Sequence, residues 1–298
     1  MLSQDKIDDI VNAVFAQLGQ NSPKSNTDTY ASAVQNTVAN VTAECGDMKD
    51  ISSREVKTIP LLENPEDPEG LKRMIGRTPA RIGVGRCGPR LKTQTMLALR
   101  ADHATARDAV FMDVDPEFIK SLGMFEVQTL CEDKNQFLTR PDLGRDFSEE
   151  TINEIRQKCK ASPAVQIFAA DGLSSTAITA NLGNILPAII DGLKARNISV
   201  GTPFFVKNGR VGTMDRVSEV TGAEVTCVLL GERPGLATAE SMSAYIVYKA
   251  TVGMPEARRT VVSNIHSGGI PAVEAGAYIA EVIEKILKAK ASGVDLKK

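Results

Sequence analysis

PAVQIFAADGLSSTAITANLGNILPAIIDGL, residues 163–193, decides the fold. Val165 to Ala170 is a short, almost continuously apolar run, the pattern of a strand buried on both faces. It stops at Asp171 and Gly172, and Ser174, Ser175 or Thr176 then offers a hydroxyl that can cap a helix. Ile178, Leu182, Ile185, Leu186, Ile189, Ile190 and Leu193 recur at helical spacing. Pro187 lacks the N–H that a helix needs and is expected to kink or split this one. A buried strand, a glycine turn and an apolar-faced helix, in that order, form the unit of an open α/β sheet.

The same ending recurs downstream, in GTPFFVKNGRV at 201–211, GERPG at 231–235 and SNIHSGG at 263–269. Glycine at such a turn admits positive φ and lets backbone N–H groups approach an anionic or polar ligand with no Cβ in the way. Ligands of open α/β sheets sit beyond the carboxyl ends of the strands. Val200 to Val206, Val225 to Leu230, Tyr245 to Tyr248 and Val261 to Ile265 are further strand candidates. Pro271 opens a last helix with Ile279, Val282, Ile283, Ile286 and Leu287 on its core face. The expected fold is α/β, a Rossmann-like open sheet with helices on both faces over 163–298, preceded by a helical or mixed region at 61–162.

Residues 5–18 carry Ile7, Ile10, Val11, Val14, Phe15 and Leu18 on one helical face, and Gly19 closes the segment. Residues 20–60 follow as an expected flexible linker; up to about residue 50 they are rich in Ser, Thr, Asn and Gln and have too little bulky apolar content to offset the entropy of ordering. An apolar stripe on such a tether has three possible resting places: the protein's own body, a partner subunit, or a larger assembly that recruits it.

A net charge of -2 and a sequence pI near 5.9 give no electrostatic footprint for nucleic acid or an anionic membrane surface. With no Trp, base-stacking platforms are not expected. No apolar run approaches the roughly 18 residues needed to span a bilayer. The five cysteines, Cys45, Cys87, Cys131, Cys159 and Cys227, are widely spaced and odd in number, so they read as reduced thiols of a cytoplasmic protein.

Arg81 to Gly85 reads as a strand, after which Arg86, Arg90 and Lys92 bring three cations to the start of a helix running toward His103. They suit a carboxylate or phosphate, or equally a solvated helix start with a salt bridge. TRPDLGR at 139–145, with Arg140 and Arg145, is open in the same way. Gly83, Gly85 and Gly88 have the spacing of GxGxxG, yet no acidic residue closes a second strand about 20 positions on; Asp108, the nearest, reads as a helix end. GxSxG and GxxxxGK[ST] are absent, and neither His103 nor His266 lies in a metal-ligand pattern. Asn264, His266 and Gly269 make NxHxxG, one residue from the DxHxxG by which many cobalamin proteins ligate cobalt. A neutral Asn supports the imidazole poorly in that role, so the histidine reads as a turn residue.

Taken together, RxGPRxxTQ (86–94), DKNxxLTRPDxGR (133–145), DGLS (171–174), VGTPFFVxxGRV (200–211), GERPG (231–235) and SNIHxGGxPxVEA (263–275) resemble the small subunits of adenosylcobalamin-dependent ethanolamine ammonia-lyases. The resemblance implies a chain that does not carry the reaction alone. In that family a barrel-shaped large subunit holds ethanolamine and the upper face of the corrin, and a radical rearrangement yields acetaldehyde and ammonia. The small subunit closes over the lower, nucleotide-tail side of the cofactor, with the cofactor's own base still on cobalt. The family's cobalamin contacts fall on Val211, Glu232 and Val261, the last a departure from the cysteine that relatives carry. No catalytic residue and no metal ligand is implied for this chain. The N-terminal segment is similar to those that direct such enzymes into a bacterial microcompartment through shell or cargo. Against this stand a free-standing α/β transferase that uses the arginine turns for a phosphorylated substrate, and a non-catalytic adaptor acting only through residues 5–18.

Overall fold

The sheet is built around β4, Val165–Ala170, every residue of which is buried. In the computed structural model, which describes residues 50–51 and 53–296, β4 has β5 (Phe204–Lys207) on one side and β6 (Val225–Gly231) on the other, both parallel to it. Beyond β5 lies β3 (Phe125–Gln128), also parallel. Beyond β6 the direction reverses, and β7 (Met242–Tyr248) and β8 (Thr260–Ile265) are antiparallel. The order is β3-β5-β4-β6-β7-β8, a mixed six-stranded sheet. Parallel neighbours require a crossover, and helices supply it; β6, β7 and β8 are joined by loops with no α-helix, which fits antiparallel pairing.

Helices cover both faces. On one, α7 (Ser175–Lys194) and α9 (Ala272–Ala289) press Ile178, Leu182, Ile185, Ile279, Ile283 and Ile286 against Ile167, Cys227, Leu229 and Ile246 of the sheet. On the other, α6 (Glu149–Lys158) and α8 (Thr213–Thr221) bring Ile155, Met214 and Val217 onto Phe168, Phe204, Val206 and Val228. Alternate residues of β4 therefore serve two cores, which is why its sequence is apolar without a break. Each Leu or Ile so buried contributes about 1.5–3 kcal/mol. Phe125, Phe204 and Phe168 stack in a row across three strands, with centroids 5.2 and 5.3 Å apart.

Ser174 caps α7, its Oγ accepting from the Ala177 N–H at 3.1 Å. Pro187 does not split that helix, which runs unbroken to Lys194. Pro187 sits on the exposed stripe, where water can take up the carbonyl that loses its intrahelical donor.

The strand expected at Arg81 to Gly85 is not formed. Gly83 and Gly85 adopt φ of +67° and +64°, outside the β region, and the chain makes instead a two-stranded hairpin of β1 (Arg86–Cys87) and β2 (Arg90–Leu91). A helix, α3 (Thr93–Phe111), follows as expected. Before it come α1 (Arg54–Lys57) and α2 (Pro68–Ile75), and after it α4 (Pro116–Ser121) and α5 (Lys134–Thr139). Buried Asp102 of α3 pairs with Lys57 at 2.6 Å and with Arg81, fastening the earlier segment to the helix. The amphipathic segment at 5–18, and residues 20–49 of the expected tether, lie outside the described residues.

Candidate ligand pocket

Beyond the carboxyl ends of β4, β5 and β6, three glycine turns converge around a half-open cavity of about 310 Å³. Gly172 and Leu173 come from the turn after β4, Gly209 to Gly212 from the turn after β5, and Gly231 with Glu232 from the end of β6; Tyr245 of β7 and Phe137 of α5 complete the wall. The turns touch backbone to backbone. A Cβ on Gly231 would fall inside the carbonyl oxygens of Ser174 and Asp171, and one on Gly172 would strike the carbonyl of Gly231. Only glycine allows that approach, and the Leu173 N–H uses it to donate to the Gly231 oxygen at 3.0 Å.

Asp171, 1% exposed, ties two of the turns to α5. It accepts from Lys134 Nζ at 2.6 Å and from the Gly209 N–H at 3.2 Å. Burial pushes its carboxyl above the ordinary carboxylate range, with the Lys134 charge working against the shift. A second buried pair stands behind α8, where Arg259 donates to both oxygens of Asp215 at 2.9 and 2.7 Å.

Of the residues singled out from the sequence, Val211 and Glu232 both line the cavity. Glu232 is half-buried, and its Oε1 accepts the Tyr245 hydroxyl at 2.7 Å. Burial, and then the hydrogen bond and charge of Glu232, push the Tyr245 phenol up, so it remains a donor. Val261 lies on β8 directly opposite Tyr245 and is 46% exposed, outside the cavity lining but on the same face of the sheet.

Arg145, a candidate cation of the TRPDLGR turn, also lines the cavity, while the other candidates fall elsewhere. Lys92 Nζ donates to Leu61 O and to Glu63 Oε1, both at 2.8 Å, which is the salt-bridged helix start. Arg86 donates to Pro89 O within its hairpin, and Arg140 pairs with Asp142 at 2.7 Å. His266 Nδ1 accepts from the Gly268 N–H at 3.1 Å, so the ring proton lies on Nε2 and is donated to Asn264 Oδ1 at 2.9 Å. Both ring nitrogens are occupied within the turn. A larger hollow of about 560 Å³ is lined by His103, Arg107, Asp108 and Phe111, all from α3 alone, with no polar group converging from a second element.

Sequence reasoning had not picked out Lys134, Asp171, Tyr245 or Arg210 as site residues. Lys134 and Asp171 lie inside quoted motifs, but 37 residues separate them and only the sheet brings them together.

Among the described residues no group of three or more His, Cys, Asp or Glu gathers as a metal site, and no helix is long and apolar enough to cross a membrane. A mixed α/β sheet with a half-open, glycine-walled pocket at the ends of its parallel strands has the geometry in which α/β proteins of the ligand-binding class hold their ligands.

Comparison with known proteins narrows that class. Residues 68–297 match the family described as ethanolamine ammonia-lyase light chain. The chain is similar to the ethanolamine ammonia-lyase small subunit of Clostridium tetani, 53% identical over 100% of both chains. It is also similar to that of Fusobacterium nucleatum, 58% identical over 85% of this chain and 86% of the relative, and to that of Listeria innocua, 53% identical over 91% and 92%. The chain belongs to the ethanolamine ammonia-lyase light-chain family, and is one subunit of a two-subunit lyase.

Proposed function

We propose that this chain holds the lower, nucleotide-tail side of adenosylcobalamin in the pocket at the ends of β4, β5 and β6. A large subunit covers the rest of the cofactor and binds ethanolamine, which the complex converts to acetaldehyde and ammonia. The observation that carries the reading is the size and openness of the cavity. About 310 Å³ admits a nucleotide-sized fragment but not a corrin, so a second surface is needed to enclose the cofactor.

The residues present suit the group. Val211 offers apolar contact on a glycine turn, and the Glu232 carboxylate, fixed by the Tyr245 hydroxyl, can accept from an amide or a ribose hydroxyl. Val261, exposed and on the same sheet face, extends the surface through its backbone and methyl groups, a contact that does not need the thiol of relatives. When bound, adenosylcobalamin supplies the radical-initiating chemistry of the reaction. The work of this chain is to orient the tail and exclude water from it. With both nitrogens of His266 engaged in their own turn, this histidine would not be available as a ligand to the cofactor's cobalt. The N-terminal residues 5–18, on their sequence alone, serve to bring the enzyme to a microcompartment.

Co-expression with the large subunit tests the reading through co-purification, equilibrium binding of adenosylcobalamin, and release of acetaldehyde and ammonia. Glu232→Ala is expected to weaken cobalamin binding about tenfold, the loss of one hydrogen bond to a charged group. Unchanged affinity removes Glu232 from the site, and a complex that neither assembles nor turns over removes the reading.

A further inference from the structure

Arg145 and Arg210 both line the pocket, and the fold takes some trouble to place them there. The 3-10 turn Leu143–Arg145 and the turn before α8 are clasped together. A Cβ on Gly144 would lie 3.1 Å from the Arg210 Cγ, and a Cβ on Gly212 would lie 3.1 Å from the Arg145 Cγ, so each turn has a glycine where the other's arginine stem passes. The Arg210 N–H donates to Gly144 O at 2.9 Å and closes the clasp. The Arg210 guanidinium lies over the Phe137 ring, 4.4 Å from its centroid, and donates to the Phe137 carbonyl.

Among the described residues, neither guanidinium has a carboxylate within ion-pair distance, and Arg210 Nε is buried with no partner. The contrast with nearby arginines is plain. Arg216 is held by both oxygens of Asp146 at 2.8 and 2.9 Å, and Arg259 by both of Asp215. Burial, and further the charge of Arg145, push the Arg210 guanidinium down, the mark of a cation that lacks its counter-charge. Glu232 and Glu256 also line the pocket, but Glu232 is engaged by Tyr245 and Glu256 by Arg259, so half-buried Arg210, with exposed Arg145 beside it, keeps donors for an anion with several acceptor oxygens.

We infer that Arg145 and Arg210 bind the phosphodiester of cobalamin's nucleotide tail. The inference rests on the cobalamin reading above and adds the group that it left unassigned. The side-chain amides of the corrin are neutral, and the phosphodiester is the anion of the tail. Val211, between Arg210 and Gly212 in the chain, carries the tail past both cations.

The test uses the complex of both subunits, with equilibrium dialysis against adenosylcobalamin and against adenosylcobinamide, which lacks phosphate and nucleotide. Arg210→Lys keeps the charge and the stem beside Gly144 but removes the planar fork. Arg145→Gln changes an exposed side chain, and the fold should tolerate it. Each variant is expected to lose about ten- to a hundredfold in affinity for adenosylcobalamin, and less than about twofold for adenosylcobinamide. Full cobalamin affinity in Arg145→Gln and Arg210→Lys overturns the inference while leaving the broader reading intact. Equal losses for both ligands, or loss of the large subunit on purification, also overturn it, because the arginines then brace the corrin or the partner. Variants that no longer respond to competing inorganic phosphate, yet keep full cobalamin affinity, assign the anion to another phosphorylated ligand and refute the inference too. A wild-type complex that binds no adenosylcobalamin defeats the broader reading, and this inference with it.

Discussion

The parallel and antiparallel halves of the sheet are built to different tolerances. In the parallel half, β4 and β6 are buried along their whole length and end in turns packed carbonyl against glycine, and a buried ion pair ties the turn after β4 to α5. In the antiparallel half, β8 alternates toward solvent, Val261 is half exposed, and the loop after β7 has room around Gly253. The difference follows from connectivity. Parallel strands send each chain end up and over the sheet, so several turns must share one small space, and in that space backbone amides and charges converge. Antiparallel hairpins share nothing with their neighbours except hydrogen bonds. A pocket forms at the crowded edge, and the antiparallel half lends it a wall, Tyr245, and an apron, Val261.

Substitutions should therefore separate the two halves in a graded way. The largest effect is expected at Gly231. Gly231→Ala places a methyl group inside two carbonyl oxygens of the turn after β4, and should cost more than about 4 kcal/mol, leaving little folded protein in a thermal melt.

Lys134→Met comes next, because it leaves Asp171 buried without its cation, at a cost of about 3 kcal/mol at neutral pH by denaturant titration. Burial already lifts the folded-state pKa of Asp171 above the unfolded value. Its contribution is thus most favourable below the ordinary carboxylate pKa and fades as pH rises through the lifted value. Removing Lys134 lifts that value further, so the variant's deficit should shrink as the solution is acidified. A deficit that grew on acidification would mean that Asp171 is not the group left exposed to burial.

Gly253→Ala should be the mildest, about 1 kcal/mol, since its φ of +87° strains any side chain but no atom lies within 4 Å of the new methyl group. Equal costs at Gly231 and Gly253 would break the comparison.

Much of this was legible in the sequence, for a physical reason. β4, β6, α7 and α9 are long or almost continuously apolar, so burial alone wrote their pattern. β3 was not legible: Phe125–Gln128 is a four-residue edge strand with one fully buried side chain, too short to show a period. Arg81 to Gly85 misled, because its apolar residues look like a strand until two glycines at positive φ turn the chain. Val211 and Glu232 came from the family resemblance that the longer motifs carry, not from any local signal, and both line the cavity. Tyr245 was not legible, because its tie to Glu232 depends on where β7 leads it beside β6, and no local signal carries that. Arg145 was legible as a turn cation open to an anion or a salt bridge, but its place beside Arg210 was not, because only the clasp of Gly144 and Gly212 sets them together.

The central claim is that the glycine turns at the ends of β4, β5 and β6 close on cobalamin. Amide hydrogen exchange of the two-subunit complex, with and without adenosylcobalamin, tests it most directly. The account predicts slowed exchange at Gly172–Leu173, Gly209–Gly212 and Gly231–Glu232, with little change at Gly253 or along α3. Unaltered exchange in those three turns, with protection appearing elsewhere on this chain or nowhere on it, would contradict the account.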